Sequence, residues 1–260
     1  MTLRRRLQLR ERASAAELPS WRSGASPVTT PSIRSCRRPA IFRGSSFMSP
    51  DKPPRIRFRL YAITDGRQVR AGTLPELLEL LAAAGLRGIQ LREKSLPETG
   101  LRTLAGECRP ALERYGVQWL VNGSIAVALG EHASGVHLAS AQDVSGARST
   151  LGASALVGKS VHSRAEACHA SAAGADFLLF GPVFDTPSKR EFGPPQGIER
   201  LREVCESVVV PVFAVGGVTA ERVPECMDAG ASGVAVVSAL MGAENPVEVL
   251  KEYGRKLGRL

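Results

Sequence analysis

Cysteine pairs, long apolar runs and metal-ligand clusters are all missing from this 260-residue sequence. Its five cysteines form no C-x-x-C pair, and their odd number argues against a closed disulfide framework, so we interpret them as reduced thiols. No apolar run approaches the roughly 20 residues that span a bilayer. No G-x-G-x-x-G fingerprint follows a strand-like run, and no His, Cys, Asp or Glu set has zinc-site spacing, which argues against a dinucleotide or zinc enzyme.

Acidic residues are nearly absent from the first 47 residues, which contain ten arginines against Glu11 and Glu17. This segment holds almost all of the formal charge of +9, so the rest of the chain is close to neutral. We therefore expect neither a nucleic acid nor a membrane as a partner of the folded part. We interpret residues 1–55 as a disordered extension rich in Arg, Ser and Pro. An organelle transit peptide and a natural start at Met48 are the alternatives.

What the sequence does contain is a regular alternation of short β-branched apolar runs and longer helical stretches. The predicted strands are Phe58–Thr64, Gly88–Leu91, Gln118–Val121, Gly135–Leu138, Ala155–Val161, Asp176–Phe184, Val210–Val215 and Gly233–Val237. The predicted helices are Leu74–Ala84, Thr99–Tyr115, Ile125–Glu131, Asp143–Leu151, Arg164–Ala173, Ile198–Ser207, Ala220–Asp228 and Pro246–Leu257. This count predicts an α/β protein with one (β/α)₈ TIM barrel over residues 56–260, and an open doubly wound sheet is the alternative.

The exits of strands 7 and 8 have the composition of a phosphate site. Gly216 and Gly217 let the backbone approach a ligand closely, and Val237 and Ser238 lie at the next strand end, before a helical stretch. Backbone N–H groups at such turns bind phosphate in many barrels of this type. We predict that these four residues bind a phosphate group.

Polar and basic side chains follow the other predicted strands, and we interpret them as substrate-binding residues. Arg92 and Lys94 share one face of a strand exit, where two cations can hold an anionic group; the structural alternative is an ion pair with Glu93. The Asp185–Pro195 loop has the length of a lid that carries hydroxyl and ammonium donors. The predicted substrate-binding residues are Gln90, Arg92, Lys94, Asn122, Ser160, Thr186, Ser188 and Lys189.

A histidine, His162, ends predicted strand 5 at the mouth of the barrel. Its unperturbed pKa of about 6.5 suits proton transfer in either direction, although a histidine in this position can also act only to orient a substrate. We predict that His162 is the catalytic residue.

A series of motifs in this order resembles the thiamine phosphate synthase and thiazole tautomerase family. The resemblance extends over roughly residues 58–257. Its motifs are Tyr61-Ala-Ile-Thr-Asp65, Ile89-Gln-Leu-Arg-Glu-Lys94, Gly135-Val-His-Leu138, Gly158-Lys-Ser-Val-His162, Gly181-Pro-Val-Phe184, Thr186-Pro-Ser-Lys189, Ala214-Val-Gly-Gly217 and Gly233-Val-Ala-Val-Val-Ser-Ala239.

The resemblance implies thiamine biosynthesis by one of two reactions. In synthases, an aminopyrimidine pyrophosphate loses pyrophosphate and the resulting cation is captured by the nitrogen of a thiazole phosphate, with Mg²⁺ bound by two aspartates. In tautomerases, a carboxylated thiazole phosphate is aromatised by proton transfer without a metal. A non-catalytic barrel that binds a phosphorylated metabolite is a third alternative, because the fold alone does not determine function.

The two aspartates of the synthases are the positions that decide between these reactions. This chain has Gly123 where the synthases have the first aspartate, and Gln142 where they have the second, with Asp143 one place further along. Mg²⁺ binds poorly where carboxylate ligands are few. We therefore expect a metal-free thiazole tautomerase with His162 as its acid/base, and a synthase that needs Mg²⁺ as the alternative. We further expect a thiazole phosphate substrate and a cytoplasmic location, with homo-oligomerisation left open.

Overall fold

The computed structural model describes residues 55–187, 190 and 193–258, and these form a closed barrel of eight parallel strands. The strands follow one another in chain order, and β1 pairs with β8 to close the sheet, with Leu60 opposite Val234. The strands are β1 Leu60–Ile63, β2 Gly88–Leu91, β3 Gln118–Asn122, β4 Gly135–Leu138, β5 Leu156–Val161, β6 Phe177–Phe180, β7 Val212–Val215 and β8 Gly233–Val236. The predicted (β/α)₈ barrel is confirmed, and the open sheet is wrong.

Helices surround the strands in the order that the alternation predicts. In the described part of the chain they are α1 Leu74–Ala83, α2 Glu98–Arg114, α3 Ile125–Gly130, α4 Val144–Leu151, α5 Arg164–Ala172, α6 Gly197–Ser207, α7 Val223–Asp228, α8 Ser238–Met241 and α9 Pro246–Leu257. Local chemistry begins and ends several of them. Thr73 and Glu76 form a capping box at the start of α1, and Gly258 adopts a left-handed conformation after α9.

Most predicted bounds shift by one to three residues in the structure, and two differences go further. The predicted strand Asp176–Phe184 is shortened to β6, because Gly181 is followed by Pro182, which has no N–H to donate to a neighbouring strand. The sequence did not predict helix α8 as a separate element. It is a single turn after β8, and it precedes the predicted last helix. Both differences lie at the C-terminal ends of strands, where the chain leaves the regular barrel.

The interior of the barrel is filled by aromatic side chains. Phe58, Tyr61, Phe177 and Phe213 contact one another, with the rings of Phe58 and Tyr61 stacked at 5.0 Å between centroids. A second and larger apolar core lies between the strands and the surrounding helices. Because the interior is packed, a ligand can reach only the ends of the barrel.

The N-terminal end of the barrel is held by a buried carboxylate. Asp176 forms ion pairs with Arg55 at 2.9 Å and with Arg148 at 2.5 Å, and it accepts a hydrogen bond from the backbone N–H of Val157. These contacts join the start of β6 to β5 and to the beginning of the described chain. No helix of the described residues is long and apolar enough to cross a membrane. Apart from Arg55, the predicted extension over residues 1–55 lies outside the described part.

Candidate active site

The C-terminal ends of the strands bring three of the predicted residues to the floor of the barrel mouth. Strand register places Gln90 beside Ile63, Asn122 beside His137, and Ser160 beside Leu179. Gln90 is buried, and its amide Nε2 lies 3.5 Å from the hydroxyl of Tyr61, at the top of the aromatic core. Asn122 and Ser160 are half-buried, so both can contact a ligand that enters the mouth.

A buried histidine, His137 of β4, lies beneath this floor. His137 Nε2 is 3.0 Å from Ser160 Oγ, and His137 Nδ1 is buried without a hydrogen-bond partner among the described residues. Burial lowers the pKa of His137 to about 3, and the charges of Lys159 and Arg92 act in the same direction. The imidazole is therefore neutral at physiological pH. An unpaired N–H is costlier to bury than an unpaired lone pair, so Nε2 is the nitrogen that holds the proton and donates it to Ser160.

The β2 exit is organised by Glu93, a residue that the sequence presented only as a partner for neighbouring cations. Its carboxylate accepts hydrogen bonds from Thr64 Oγ1 at 2.6 Å and from the backbone N–H of Gly66 at 2.9 Å. Thr64 Oγ1 in turn accepts from the backbone N–H of Arg92. Glu93 thus ties the loop after β1 to the loop after β2. The ion pair of Glu93 with Arg92 or Lys94, considered as an alternative, is absent from the described ion pairs.

Arg92 is the half-buried cation of this rim. Its guanidinium forms no hydrogen bond or ion pair with any residue in the described ranges, and burial lowers its pKa. Lys94, two residues further along, is exposed. The charges of Asp65 and Glu93 act on the pKa of Arg92 in the opposite direction, but burial has the larger effect. An anionic ligand would restore the interactions that burial has removed, so this partly desolvated cation can bind an anion.

The exits of β3 and β4 do not have the side chains of a magnesium site. No group of three or more His, Cys, Asp or Glu residues in the described chain is arranged to hold a metal. Asp143 is the nearest carboxylate in sequence, and both of its oxygens accept backbone hydrogen bonds at the start of α4, from Ser145 and Gly146. Mg²⁺ favours carboxylate oxygens, so the donors found here do not fit the two-aspartate site of the synthases.

His162 lies past the end of β5 and is fixed by the neighbouring strand. Its Nδ1 is 2.6 Å from the carbonyl oxygen of Gly181, so Nδ1 carries a proton and donates it to that carbonyl. The residue is exposed and lines a cavity together with Phe180 and Arg200. Because Phe180 packs in the core between strands and helices, this cavity opens on the helix side of the strand wall. The acid/base role of His162 stays a prediction, and it belongs to the tautomerase hypothesis.

Only part of the predicted lid can be placed. Thr186 is half-buried, and its backbone N–H bonds to the carboxylate of Asp185. Asp185 also pairs with Arg190 at 2.6 Å, an ion pair that the sequence did not indicate. Ser188 and Lys189, predicted to bind the substrate, lie outside the described residues.

The predicted phosphate site consists of two adjoining turns. Gly216 and Gly217 both have positive φ, 93° and 63°, and a Cβ on Gly217 would lie only 2.4 Å from the carbonyl oxygen of Asp185. Ser238 begins α8 directly after Val237. In the described part of the chain, the N–H groups of Gly217 and Ser238 donate to no backbone carbonyl. Both N–H groups are therefore available to a ligand.

Arg222 supports the turn at Gly217 and was missed by the sequence reasoning. Its Nη1 donates to the carbonyl oxygen of Gly217 at 2.7 Å, and its guanidinium lies 4.6 Å from the ring centroid of Phe184. The arginine thus joins the β7 turn to the segment after β6. No motif singles it out, because both of its partners are set by the paths of loops.

Comparison with known proteins places the barrel among the enzymes of thiamine biosynthesis. The sequence profile of a family described as thiamine monophosphate synthase matches residues 60–240. A Geobacter sulfurreducens protein with the provisional name of thiamine-phosphate synthase is 42% identical over 75% of this chain and 92% of its own. The thiamine-phosphate synthase of Methanoculleus marisnigri is 40% identical over 71% of this chain and 88% of its own length. The solved structure of thiamine phosphate pyrophosphorylase from Pyrococcus furiosus is 31% identical in sequence and has a TM-score of 0.71. The match covers 78% of this chain and 97% of that structure's chain.

These relatives overturn the expectation of a thiazole tautomerase, which is wrong. That expectation depends on the missing carboxylates at Gly123 and Gln142. They bear only on a metal site, whereas the similarity to named synthases extends over almost the whole barrel. The profile match and the relatives together show that the chain belongs to the thiamine monophosphate synthase family.

Proposed function

We propose that this chain is a thiamine-phosphate synthase, which joins an aminopyrimidine pyrophosphate to a thiazole phosphate and releases pyrophosphate. The observation that carries the proposal is the similarity to proteins named for this activity, at 40% identity over 88% of one such relative. Arg92 supports it: this half-buried cation at the barrel mouth forms no hydrogen bond or ion pair through its guanidinium within the described residues, and the reaction needs a cationic site for a leaving group of high negative charge.

The reaction breaks one bond and forms another. The C–O bond between the pyrimidine methylene and pyrophosphate breaks, and its electron pair leaves with pyrophosphate. The thiazole nitrogen then gives its lone pair to the methylene carbon, which forms the C–N bond of the thiazolium product. No proton is transferred in either event, so the chemistry needs no general acid/base and none is assigned to His162.

In this proposal the β2 exit binds the pyrophosphate. Arg92 and Lys94 provide two positive charges, and Glu93 holds the backbone of Arg92 through Thr64. A guanidinium that is already desolvated stabilises the charge that develops on the leaving oxygen without having to lose water at the moment of reaction. The neutral amides of Gln90 and Asn122 and the hydroxyl of Ser160 complete the floor, where the pyrimidine ring lies.

The thiazole phosphate binds at the exits of β7 and β8. Free N–H groups of Gly217 and Ser238 hold its phosphate, and Arg222 keeps the turn in place from the carbonyl side of Gly217. In the closed barrel, β1 lies between this site and the β2 exit. The two anionic ends of the substrates are thereby held apart while their reacting atoms meet above the aromatic core. No step of this mechanism passes through a metal, since the described donors do not fit one.

The test is a product assay with the full chain. Supplied with both substrates, the chain should form thiamine phosphate and pyrophosphate in equal amounts, detected by mass spectrometry and by a coupled pyrophosphate assay. Arg92→Met should lower the rate, whereas Arg114→Met, an exposed arginine of α2 paired with Glu79, should not. Substrates that stay unchanged for the parent chain, with and without Mg²⁺, would rule the proposal out.

A further inference from the structure

A lysine ammonium holds together the loop that follows β4. Lys159 lies in β5 and is only 6% exposed. Its Nζ donates to the carbonyl oxygens of Ala139 at 2.7 Å and Ser140 at 2.8 Å, and also to that of Gln142. An ammonium has three protons, so all of its donors are used by this single loop. A fixed positive charge surrounded by backbone oxygens is thus built into the rim.

The amide of Gln142 connects this loop to the exit of β3. Its Nε2 donates to the carbonyl oxygen of Gly123 at 3.0 Å, and its Oε1 accepts from the backbone N–H of Ala139 at 2.9 Å. A Cβ built on Gly123 would lie 3.4 Å from both polar atoms of that amide. The amide therefore fills the space toward which a side chain at position 123 would point, and it joins the two exits that a metal would otherwise bridge.

The carboxylates near this connection have other partners. Asp143 caps α4 with both oxygens, and Glu98 accepts a hydrogen bond from Ser124 Oγ at 2.9 Å. Arg92 and Lys159 both lie close enough to His137 for their charges to lower its pKa, so two cations flank the floor of the mouth from different strands. The protein thus supplies the positive charge of this rim itself.

We propose that Lys159 and Gln142 take the place of a divalent cation at the exits of β3 and β4, so that this barrel binds pyrophosphate without a metal. The inference rests on the proposed synthase function for the identity of the anion. Lys159 is a positioning residue in this arrangement, because its donors are all spent on the β4 loop. The charge that contacts pyrophosphate comes from Arg92 and Lys94.

The first experiment measures binding of inorganic pyrophosphate to the full chain by calorimetry, in EDTA and in excess Mg²⁺. We expect dissociation constants that differ by less than threefold, and electron paramagnetic resonance of added Mn²⁺ should show only free ion. Binding that weakens more than tenfold in EDTA, a protein-bound Mn²⁺ signal, or no binding in either buffer would overturn the inference. Failure of the synthase proposal is seen separately, as metal-free pyrophosphate binding without product.

A double variant tests whether Lys159 and Gln142 take the place of the metal, by giving this rim two carboxylates that can bind one. Gly123→Asp with Gln142→Asp removes the amide connection and provides two carboxylates, and aspartate tolerates the positive φ of position 123 better than most residues. This variant should bind Mn²⁺, and its affinity for pyrophosphate should become at least tenfold dependent on metal. The matched control, Gly116→Asp with Gly152→Asp, adds the same charge at two open positive-φ glycines and should bind no metal. Equal metal binding by the two variants would count against the assignment.

Lys159→Met tests whether Lys159 positions the pyrophosphate site or only stabilises the barrel. It should weaken pyrophosphate binding at least tenfold while leaving binding of the thiazole phosphate, at β7 and β8, within twofold. An equal loss at both sites would mean that Lys159 only holds the barrel together, and unchanged pyrophosphate binding would mean that the loop does not depend on it. The calorimetry on the parent chain decides the question if this variant does not fold.

Discussion

The imidazole of His137 and the hydroxyl of Ser160 form one hydrogen-bonded pair, 3.0 Å apart, between β4 and β5. Because Nδ1 of His137 is buried and has no hydrogen-bond partner in the described ranges, the proton lies on Nε2 and is donated to Ser160 Oγ. The hydroxyl hydrogen of Ser160 is then free to point toward a ligand in the mouth. A buried neutral histidine thereby sets the donor direction of a half-buried serine.

The pair predicts a pH dependence of stability. Above about pH 6.5 His137 is neutral in both the folded and the unfolded chain, and it makes no pH-dependent contribution. Below that value the unfolded chain takes up a proton that the folded chain rejects until its own pKa of about 3. The free energy of unfolding should therefore fall as pH falls from 6.5 toward 3, with a slope of up to about 1.4 kcal/mol per pH unit.

His137→Phe should remove this part of the slope, because Tyr61 and Phe177 already surround the ring with aromatic side chains. The measurement is denaturant unfolding at pH 7.5 and pH 5. The control is His132→Asn, which changes an exposed histidine whose positive φ suits asparagine. If parent and His137→Phe lose the same stability between the two pH values, the imidazole is not kept neutral by the fold.

Arg92 should show a trade-off between stability and binding. Burial disfavours its charge in the folded chain, so Arg92→Met should raise the free energy of unfolding or leave it unchanged. The same change removes a charged donor from the pyrophosphate site, and affinity should fall by roughly 10- to 100-fold. Thermal unfolding and pyrophosphate calorimetry give the two values. A variant that loses both stability and affinity would show that the guanidinium has a structural partner.

Gly217→Val should damage the phosphate site more than the remainder of the fold. The added side chain would meet the carbonyl oxygen of Asp185 and adopt a strained positive φ, so the turn must move. Binding of the thiazole phosphate should weaken far more than binding of the dephosphorylated thiazole, measured side by side. Arg222→Met, which removes the support of Gly217 without a steric clash, should act in the same direction and more weakly. Equal losses for both ligands would contradict the assignment of the phosphate to this turn.

A chain that begins at Met48 should fold and bind ligand like the full chain. Within the described residues, the contacts at the N-terminal end of the barrel begin with Arg55 and its ion pair to Asp176. A chain that starts at Met48 retains both. The check is the midpoint and steepness of thermal unfolding, followed by pyrophosphate calorimetry. Loss of a cooperative transition would show that residues 1–47 contribute to the barrel.

Sequence alone determined the architecture, because its signals are local. Apolar runs, helix caps and the glycines after helices depend on neighbours a few residues away, and they predicted the eight strands and the barrel. The strand order also predicted Gln90, Asn122 and Ser160 at the mouth, since substrate-binding residues of a (β/α)₈ barrel lie at the C-terminal ends of its strands. The glycine turn at Gly216 and Gly217 was predicted at a strand exit for the same reason.

Tertiary structure decided what those residues touch. Lys159 meets carbonyl oxygens 17 to 20 residues away, and Glu93 meets groups 27 and 29 residues away, so no short motif describes either contact. By themselves, the missing carboxylates at Gly123 and Gln142 predict a change of reaction. The fold shows an amide and an ammonium joining those loops instead. Which loop an ammonium reaches depends on the closed sheet, because only barrel closure brings the exits of separate strands to one rim.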